Sequence, residues 1–199
     1  MSAPALSDAE LVRKCQTGEW RAYNELIARH QDRLFNLIYR YLGHWEDARD
    51  VCQEVFLKAF RALPDFRGDA AFGTWLHQIG VNTLISWRRA RQSHPTGPLG
   101  NGGDHDPTGN PGPDPADRAP GPAQLADQRE RERLVQEAIH SLDEEQRMLV
   151  VLRDVQGYDY EAIARMLGCP RGTVKSRLHR ARLVLRERLR PLVKLEQSK

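Results

Sequence analysis

The stretch Tyr158-Asp159-Tyr160-Glu161-Ala162-Ile163-Ala164-Arg165-Met166-Leu167-Gly168-Cys169-Pro170-Arg171-Gly172-Thr173-Val174-Lys175-Ser176-Arg177-Leu178-His179-Arg180-Ala181-Arg182 decides how the C-terminal part of this chain folds. It reads as a short helix, a tight turn and a second helix. Asp159 stands where it caps the first helix, and Ile163, Ala164 and Leu167 give that helix an apolar face. Gly168 tolerates a left-handed closing residue and Pro170 cannot continue the ladder, so the helix ends there. Val174, Leu178, Ala181 and Leu185 recur at helical spacing and bury one side of the second helix. Lys175, Ser176, His179, Arg180 and Arg182 are left outside. Between Arg171 and Arg190 there are eight Arg or Lys and one acid, Glu187, giving +7 in a chain whose net charge is +3. A helix that reads the major groove needs cations for phosphates and small polar groups near its N-terminus for base edges. A solvated basic helix would share the charge, but not the short helix, glycine turn and Thr-Val start.

Composition narrows the remaining classes. The 199 residues are 40% hydrophobic and 29% charged, and no run approaches the ~20 apolar residues that span a bilayer. Met1 to Asp8 lacks a basic region followed by an apolar core, so no secretory signal is expected and the protein reads as cytoplasmic. Cys15, Cys52 and Cys169 are odd in number, far apart and outside any Cys-x-x-Cys pair, which suits a reducing compartment and buried thiols. No redox role follows from their spacing. The His residues show no ligand spacing, so neither a metal nor another cofactor is expected. No phosphate-binding glycine loop, His-Glu-x-x-His or nucleophile elbow is present, and no catalytic residue is assigned.

Between Ser93 and Gln124 lie eight of the twelve prolines and seven of the fifteen glycines. Such a segment buries too little apolar surface to offset its ordering entropy. It reads as a flexible tether of roughly 30 residues with a contour on the order of 100 Å. The chain therefore divides into an N-terminal domain (1–92), a linker (93–123) and a C-terminal domain (124–199), both domains all-α. In the first, helices are expected from about Asp8 to Thr17, Trp20 to Leu42, Trp45 to Leu63 and Ala71 to Gln92. The apolar stripe of the longest is Tyr23, Leu26, Ile27, Leu34, Leu37, Ile38 and Tyr41. Helices at Gln124–Ser141 and Asp143–Val155 precede the basic pair.

Three separated runs resemble one family. They are Asp47-Ala48-Arg49-Asp50-Val51-Cys52-Gln53-Glu54-Val55-Phe56-Leu57-Lys58-Ala59, then Phe66-Arg67-Gly68-Asp69-Ala70-Ala71-Phe72-Gly73-Thr74-Trp75-Leu76 with Ile79-Gly80-Val81-Asn82, and the helix-turn-helix quoted above. In this order they are similar to the extracytoplasmic-function sigma factors of bacterial RNA polymerase. The resemblance implies a region 2 helical bundle and a region 4 helix-turn-helix, and no catalysis. It implies binding to core polymerase, through the beta-prime coiled coil and the beta flap, to promoter DNA and to an anti-sigma factor, without membrane insertion.

The family's roles fall on particular residues. Asp47, Asp50, Gln53 and Glu54 match the surface that docks on core polymerase. By spacing alone, Asp47, Asp50 and Glu54 share a helix face, which is equally a solvated acidic face. Lys58, Phe66, Arg67, Asp69, Asn82, Arg88 and Arg89 match the handling of a melted minus-10 element, with Phe66, Arg67, Asp69 and Asn82 around a flipped base and Lys58, Arg88, Arg89 and Arg91 along phosphates. Phe72, Trp75, Leu76 and Ile79 fall at core spacing, and Trp87 suits either role. On the recognition helix, Lys175, Ser176, His179 and Arg180 match base-edge positions of a minus-35 reader, and Arg171, Thr173, Arg177 and Arg182 lie toward phosphates. Departures are Asp143, where relatives carry proline, Ser86, where many carry an acid, and Asp159 in place of serine. The competing reading is a free-standing helix-turn-helix regulator with an N-terminal sensor or interaction domain. It gives no reason for the Asp47–Glu54 or Phe66–Asn82 patterns.

Overall fold

The computed structural model describes residues 6–93 and 122–196, with side chains described for 6–91 and 127–190. Among them every regular element is a helix or helical turn. The expected tether lies, from 94 to 121, outside the described residues. Helix α1 (Asp8–Gln16) starts with a reciprocal cap: Ser7 accepts from the Glu10 amide, and the Glu10 carboxylate accepts from the Ser7 amide at 2.7 Å. Its Leu11, Val12 and Cys15 are buried. Helix α2 (Arg21–Leu42) buries Tyr23, Leu26, Leu34, Leu37, Ile38 and Tyr41, the anticipated stripe, while Ile27 is half-buried. Helix α3 (Trp45–Ala62) runs into a 3₁₀ turn at Leu63–Asp65, and α4 (Phe72–Ser93) comes after a short loop. Phe72, Leu76, Val81 and Leu84 of α4 face the core, with Trp75 and Ile79 half-buried against it.

The C-terminal lobe comprises α5 (Pro122–His140), α6 (Glu144–Val150), α7 (Tyr160–Leu167) and α8 (Arg171–Glu196). Asp143 serves as an N-cap, accepting from the Gln146 amide at 2.8 Å, so the substituted proline position still starts a helix. The single helix expected to Val155 changes register after Val150 and finishes as a π-helical turn, Val151–Val155, closed by the Gln156 amide on the Val151 carbonyl. Asp159 accepts from the Ala162 amide at 2.7 Å, and Gly168 closes α7 at φ 61°. Val174, Leu178 and Ala181 of α8 are buried as the periodicity requires; on α7 Ile163 is buried with Met166, which the expected face did not include, and Ala164 and Leu167 are half-buried.

The two lobes pack together, and one buried apolar cluster runs through both. The contact is chemically specific because it falls on the last four carbonyls of α2, where the helical ladder runs out and of which Tyr39 also accepts from the Gly43 amide at 2.8 Å. All four meet C-terminal side chains. The Gln136 amide donates to the Tyr39 and Arg40 carbonyls at 3.4 and 3.2 Å, Arg147 donates to Tyr41 at 3.2 Å, and His140 Nε2 donates to Leu42 at 2.7 Å. A carbonyl only accepts, which fixes the proton on His140 Nε2 and leaves Nδ1 to accept from Gln136. Gly43 then closes α2 at φ 77°, and a Cβ there would overlap the His140 ring. Farther along, Arg33 donates to the backbone and side-chain oxygens of Gln156 at 2.7 and 3.1 Å.

Candidate polymerase and nucleic-acid interfaces

Helix α3 presents Asp50, Gln53 and Glu54 to solvent on one side. Asp47 is drawn off this face by Arg91 of α4 at 3.0 Å, and the Arg91 guanidinium stacks over Trp87. Glu54 pairs with Lys58, one turn on, at 2.6 Å. Asp50 forms no ion pair among the described residues. The structure thus keeps Asp50, Gln53 and Glu54 together and ties Asp47 elsewhere.

Beside that acidic shoulder lies an aromatic groove that the motif spacing does not anticipate. A groove of about 880 Å³ between α2 and α3 is lined by Phe35, Tyr39, Trp45, Phe56, Leu57 and Phe60, with Gln53 on its wall. Trp45 is 46% exposed and Leu57 51%. Large apolar groups left in water at a groove mark a surface that another molecule covers. The sequence signal existed: Phe35 with Tyr39 and Phe56 with Phe60 are spaced i, i+4 off the buried stripes, so each pair forms a second face.

The loop between α3 and α4 carries Phe66, Arg67 and Asp69. Phe66 is half-buried, its ring 4.8 Å from that of Trp75 and 6.1 Å from that of Phe72. Arg67 and Asp69 are exposed around Gly68, whose φ is 79°. On α4, Asn82 is exposed and accepts from the Gln78 amide at 3.2 Å. Gln78 also donates to the Met166 carbonyl of the other lobe at 3.1 Å. Lys58 reaches the Thr83 hydroxyl at 3.2 Å. Arg88 lies 2.8 Å from the Glu144 carboxylate in an ion pair lacking hydrogen-bond alignment, whereas Arg89 is exposed. The loop residues and Asn82 share one side of the bundle with Lys58 nearby, and Arg88 is drawn toward α6.

The same α4 buries His77, whose Nδ1 is 2.8 Å from the Tyr158 hydroxyl. Burial, reinforced by the positive Arg33 and by His30, lowers its pKa to about 4, so the ring is neutral at pH 7. Burial raises the Cys52 thiol to about 11 and also pushes Cys15 up, which keeps both as thiols at neutral pH.

Helix α8 displays Lys175, Ser176, His179 and Arg180 outward, and none of them forms an ion pair among the described residues. Its flanking arginines are held by acids of the same lobe. Arg171 lies 3.7 Å from Glu161, Arg177 pairs with Glu145, and Arg182 bonds Asp154 through two nitrogens. Thr173 sits in the first turn, where its carbonyl accepts from Ser176 Oγ at 3.1 Å. The expected base-facing and phosphate-facing sets therefore differ in wiring: the first is outside any ion pair, and the arginines of the second are positioned by carboxylates.

Comparison with known proteins agrees with both lobes. Sigma-70 region 2 matches residues 26–94, and Sigma-70 region 4 matches residues 132–185. The ECF RNA polymerase sigma-E factor of Escherichia coli is 37% identical over 198 residues, covering 95% of this chain and 97% of the relative. That of Haemophilus influenzae is 36% identical over 193 residues, covering 96% and 100%. Among solved structures, CnrH in complex with the cytosolic domain of CnrY aligns with a TM-score of 0.62 at 26% identity, covering 92% of this chain and 97% of CnrH. The sigma factor RpoE of Bartonella quintana, solved with the anti-sigma factor NepR, shares the fold at a TM-score of 0.62 and 23% identity, covering 84% and 96%. No described helix is long and apolar enough to cross a membrane. With both regions matched in order and relatives aligned nearly end to end, the chain belongs to the extracytoplasmic-function group of RNA polymerase sigma factors, the alternative sigma factors that direct transcription initiation.

Proposed function

We propose that three surfaces divide the work of promoter-specific initiation. The α2–α3 groove with Asp50, Gln53 and Glu54 docks on core polymerase. The loop at Phe66–Asp69, with Asn82, Lys58, Arg88 and Arg89, holds the melted minus-10 strand. The outer face of α8 reads the minus-35 duplex, Lys175, Ser176, His179 and Arg180 at base edges and Arg171, Thr173, Arg177 and Arg182 toward phosphates. The observation that carries the first assignment is the exposed aromatic groove beside an unpaired carboxylate. It offers apolar burial at the centre and charge at the rim, as protein interfaces do.

Nothing in this scheme requires a catalytic group or a cofactor, and the work is done by binding. Reading two promoter elements at once also requires the lobes to part. Their contact joins a shared apolar cluster to side-chain bonds on the carbonyls at one helix end, and water can replace the latter. An anti-sigma factor is the natural antagonist, in keeping with the family resemblance and with the protein partner that CnrH carries in its complex.

Gel filtration with bacterial core polymerase tests the docking face. Wild type is expected to co-elute with core, and Asp50→Arg/Glu54→Arg to elute alone while keeping its helical circular dichroism. Co-elution of the folded double variant would move the docking face elsewhere.

A further inference from the structure

Gln16, the last residue of α1, is absent from every surface described so far. Its side-chain amide nitrogen lies 3.1 Å from the Leu63 carbonyl, 3.0 Å from the Phe66 carbonyl and 3.5 Å from the Pro64 carbonyl. These oxygens belong to the 3₁₀ turn that ends α3 and to the residue that leaves it. The Leu63 carbonyl also accepts the turn's own bond from the Phe66 amide at 3.1 Å, while Pro64 stands at the end of the turn and Phe66 just past it, where the helical ladder no longer supplies donors. One side chain, some fifty residues away in sequence, gathers them. Its own base is rigid, because α1 is fixed by its capping box, by buried Leu11, Val12 and Cys15, and by Asp8 bonded to Arg29 and His30 of α2.

Arg67, Gly68 and Asp69 come directly after the gathered carbonyls in the chain. Arg67 and Asp69 make no ion pair among the described residues, so the backbone path and the Phe66 ring set where they point. That ring is held by Trp75 and Phe72. The loop thus hangs from two anchors, one on its main chain and one on its aromatic side chain. We infer that Gln16 is a positioning residue for minus-10 recognition: its amide fixes the main-chain path that presents Arg67 and Asp69 to the extruded base. This rests on the assignment of the Phe66–Asp69 loop to the minus-10 strand. Preorganisation of this kind acts on discrimination between bases more than on attraction to the backbone, because phosphate contacts tolerate small displacements and base contacts do not.

The test uses the full chain and the single-stranded hexamer that wild type selects from a random pool, with an oligo-dT hexamer as the non-specific probe. Gln16→Met keeps the volume and removes both donors. It is expected to lower the ratio of selected-hexamer to oligo-dT affinity three- to tenfold, with core binding and minus-35 duplex binding unchanged. Gln16→Lys supplies an ammonium to the same carbonyls and is expected to restore the ratio, although it raises affinity for both probes. Hydrogen exchange read over residues 66–70 is expected to quicken in the Met variant and to return in the Lys variant. Arg67→Ala and Asp69→Ala separate the two levels of the inference. If they lower the ratio and Gln16→Met does not, the positioning role of Gln16 is wrong while the loop assignment stands. If they leave it unchanged, the loop does not read the strand and both fall. A Gln16→Met variant that loses affinity for both probes in proportion to lost thermal stability would make Gln16 merely structural.

Discussion

The two surfaces assigned to promoter DNA are supported in different ways. Helix α8 is backed by Val174, Leu178 and Ala181, and its flanking arginines are held by Glu145, Asp154 and Glu161 of the same lobe. The minus-10 side is shared between lobes. Arg88 is paired with Glu144, and Gln78, which bonds Asn82, also caps the Met166 carbonyl of α7. Under the proposed assignments, parting the lobes leaves the α8 face as it is and releases Arg88 and Gln78 on the side proposed to hold the minus-10 strand. In the closed chain the face proposed for minus-35 is built within one lobe, and the face proposed for minus-10 is partly engaged by the other lobe.

The largest expected effect is on the buried histidine between them. His77 has a folded pKa of about 4 against an ordinary 6.5, so below pH 6.5 the unfolded chain binds a proton that the folded chain refuses. Stability is fully present above pH 6.5, declines as pH falls from there and levels off below about 4. The loss is on the order of 3 kcal/mol. Urea titrations at pH 7 and pH 4.5 measure it, and His77→Gln should flatten the difference. An unchanged slope in that variant would assign the acid sensitivity to carboxylates instead.

Next in size is the minus-35 surface. Arg180→Ala is expected to weaken binding to the cognate duplex by about 1–3 kcal/mol and scrambled duplex much less. Equal losses on both would place Arg180 on phosphate, and its lack of an internal acid would then have no bearing on base reading. The smallest effect belongs to the shared side. Glu144→Gln frees Arg88, and a half-exposed pair is worth at most about 1 kcal/mol, so the free chain should bind the minus-10 strand roughly two- to threefold more tightly. Arg88→Ala should cancel that gain. If the gain persists without Arg88, the inter-lobe pair does not restrain the minus-10 surface.

Local rules made much of this fold legible. The Asp159 cap, the Gly168 closure and the Val174–Leu178–Ala181 stripe each come from one or two residues acting on their own backbone. The α2 and α4 stripes were legible for the same reason. The π-helical turn at Val151–Val155 was not, because a run of apolar residues marks burial without revealing a one-residue change in hydrogen-bond register. The lobe contact was hidden too. Arg33 meets Gln156 and His140 meets the Leu42 carbonyl across about a hundred positions, with no periodicity to connect them. In the site, the acidic run on α3 could be read, but the removal of Asp47 by Arg91 depends on how α3 and α4 cross. The aromatic groove escapes the main periodicity of α2, because Phe35 and Tyr39 lie beside the buried stripe and not on it.

Closure itself is best tested by single-molecule energy transfer between dyes at Arg61→Cys and Arg186→Cys, both exposed positions on different lobes. A closed free chain predicts one high-transfer population that shifts to low transfer when core polymerase and promoter DNA are added. A low-transfer population in the free chain at neutral pH would contradict it.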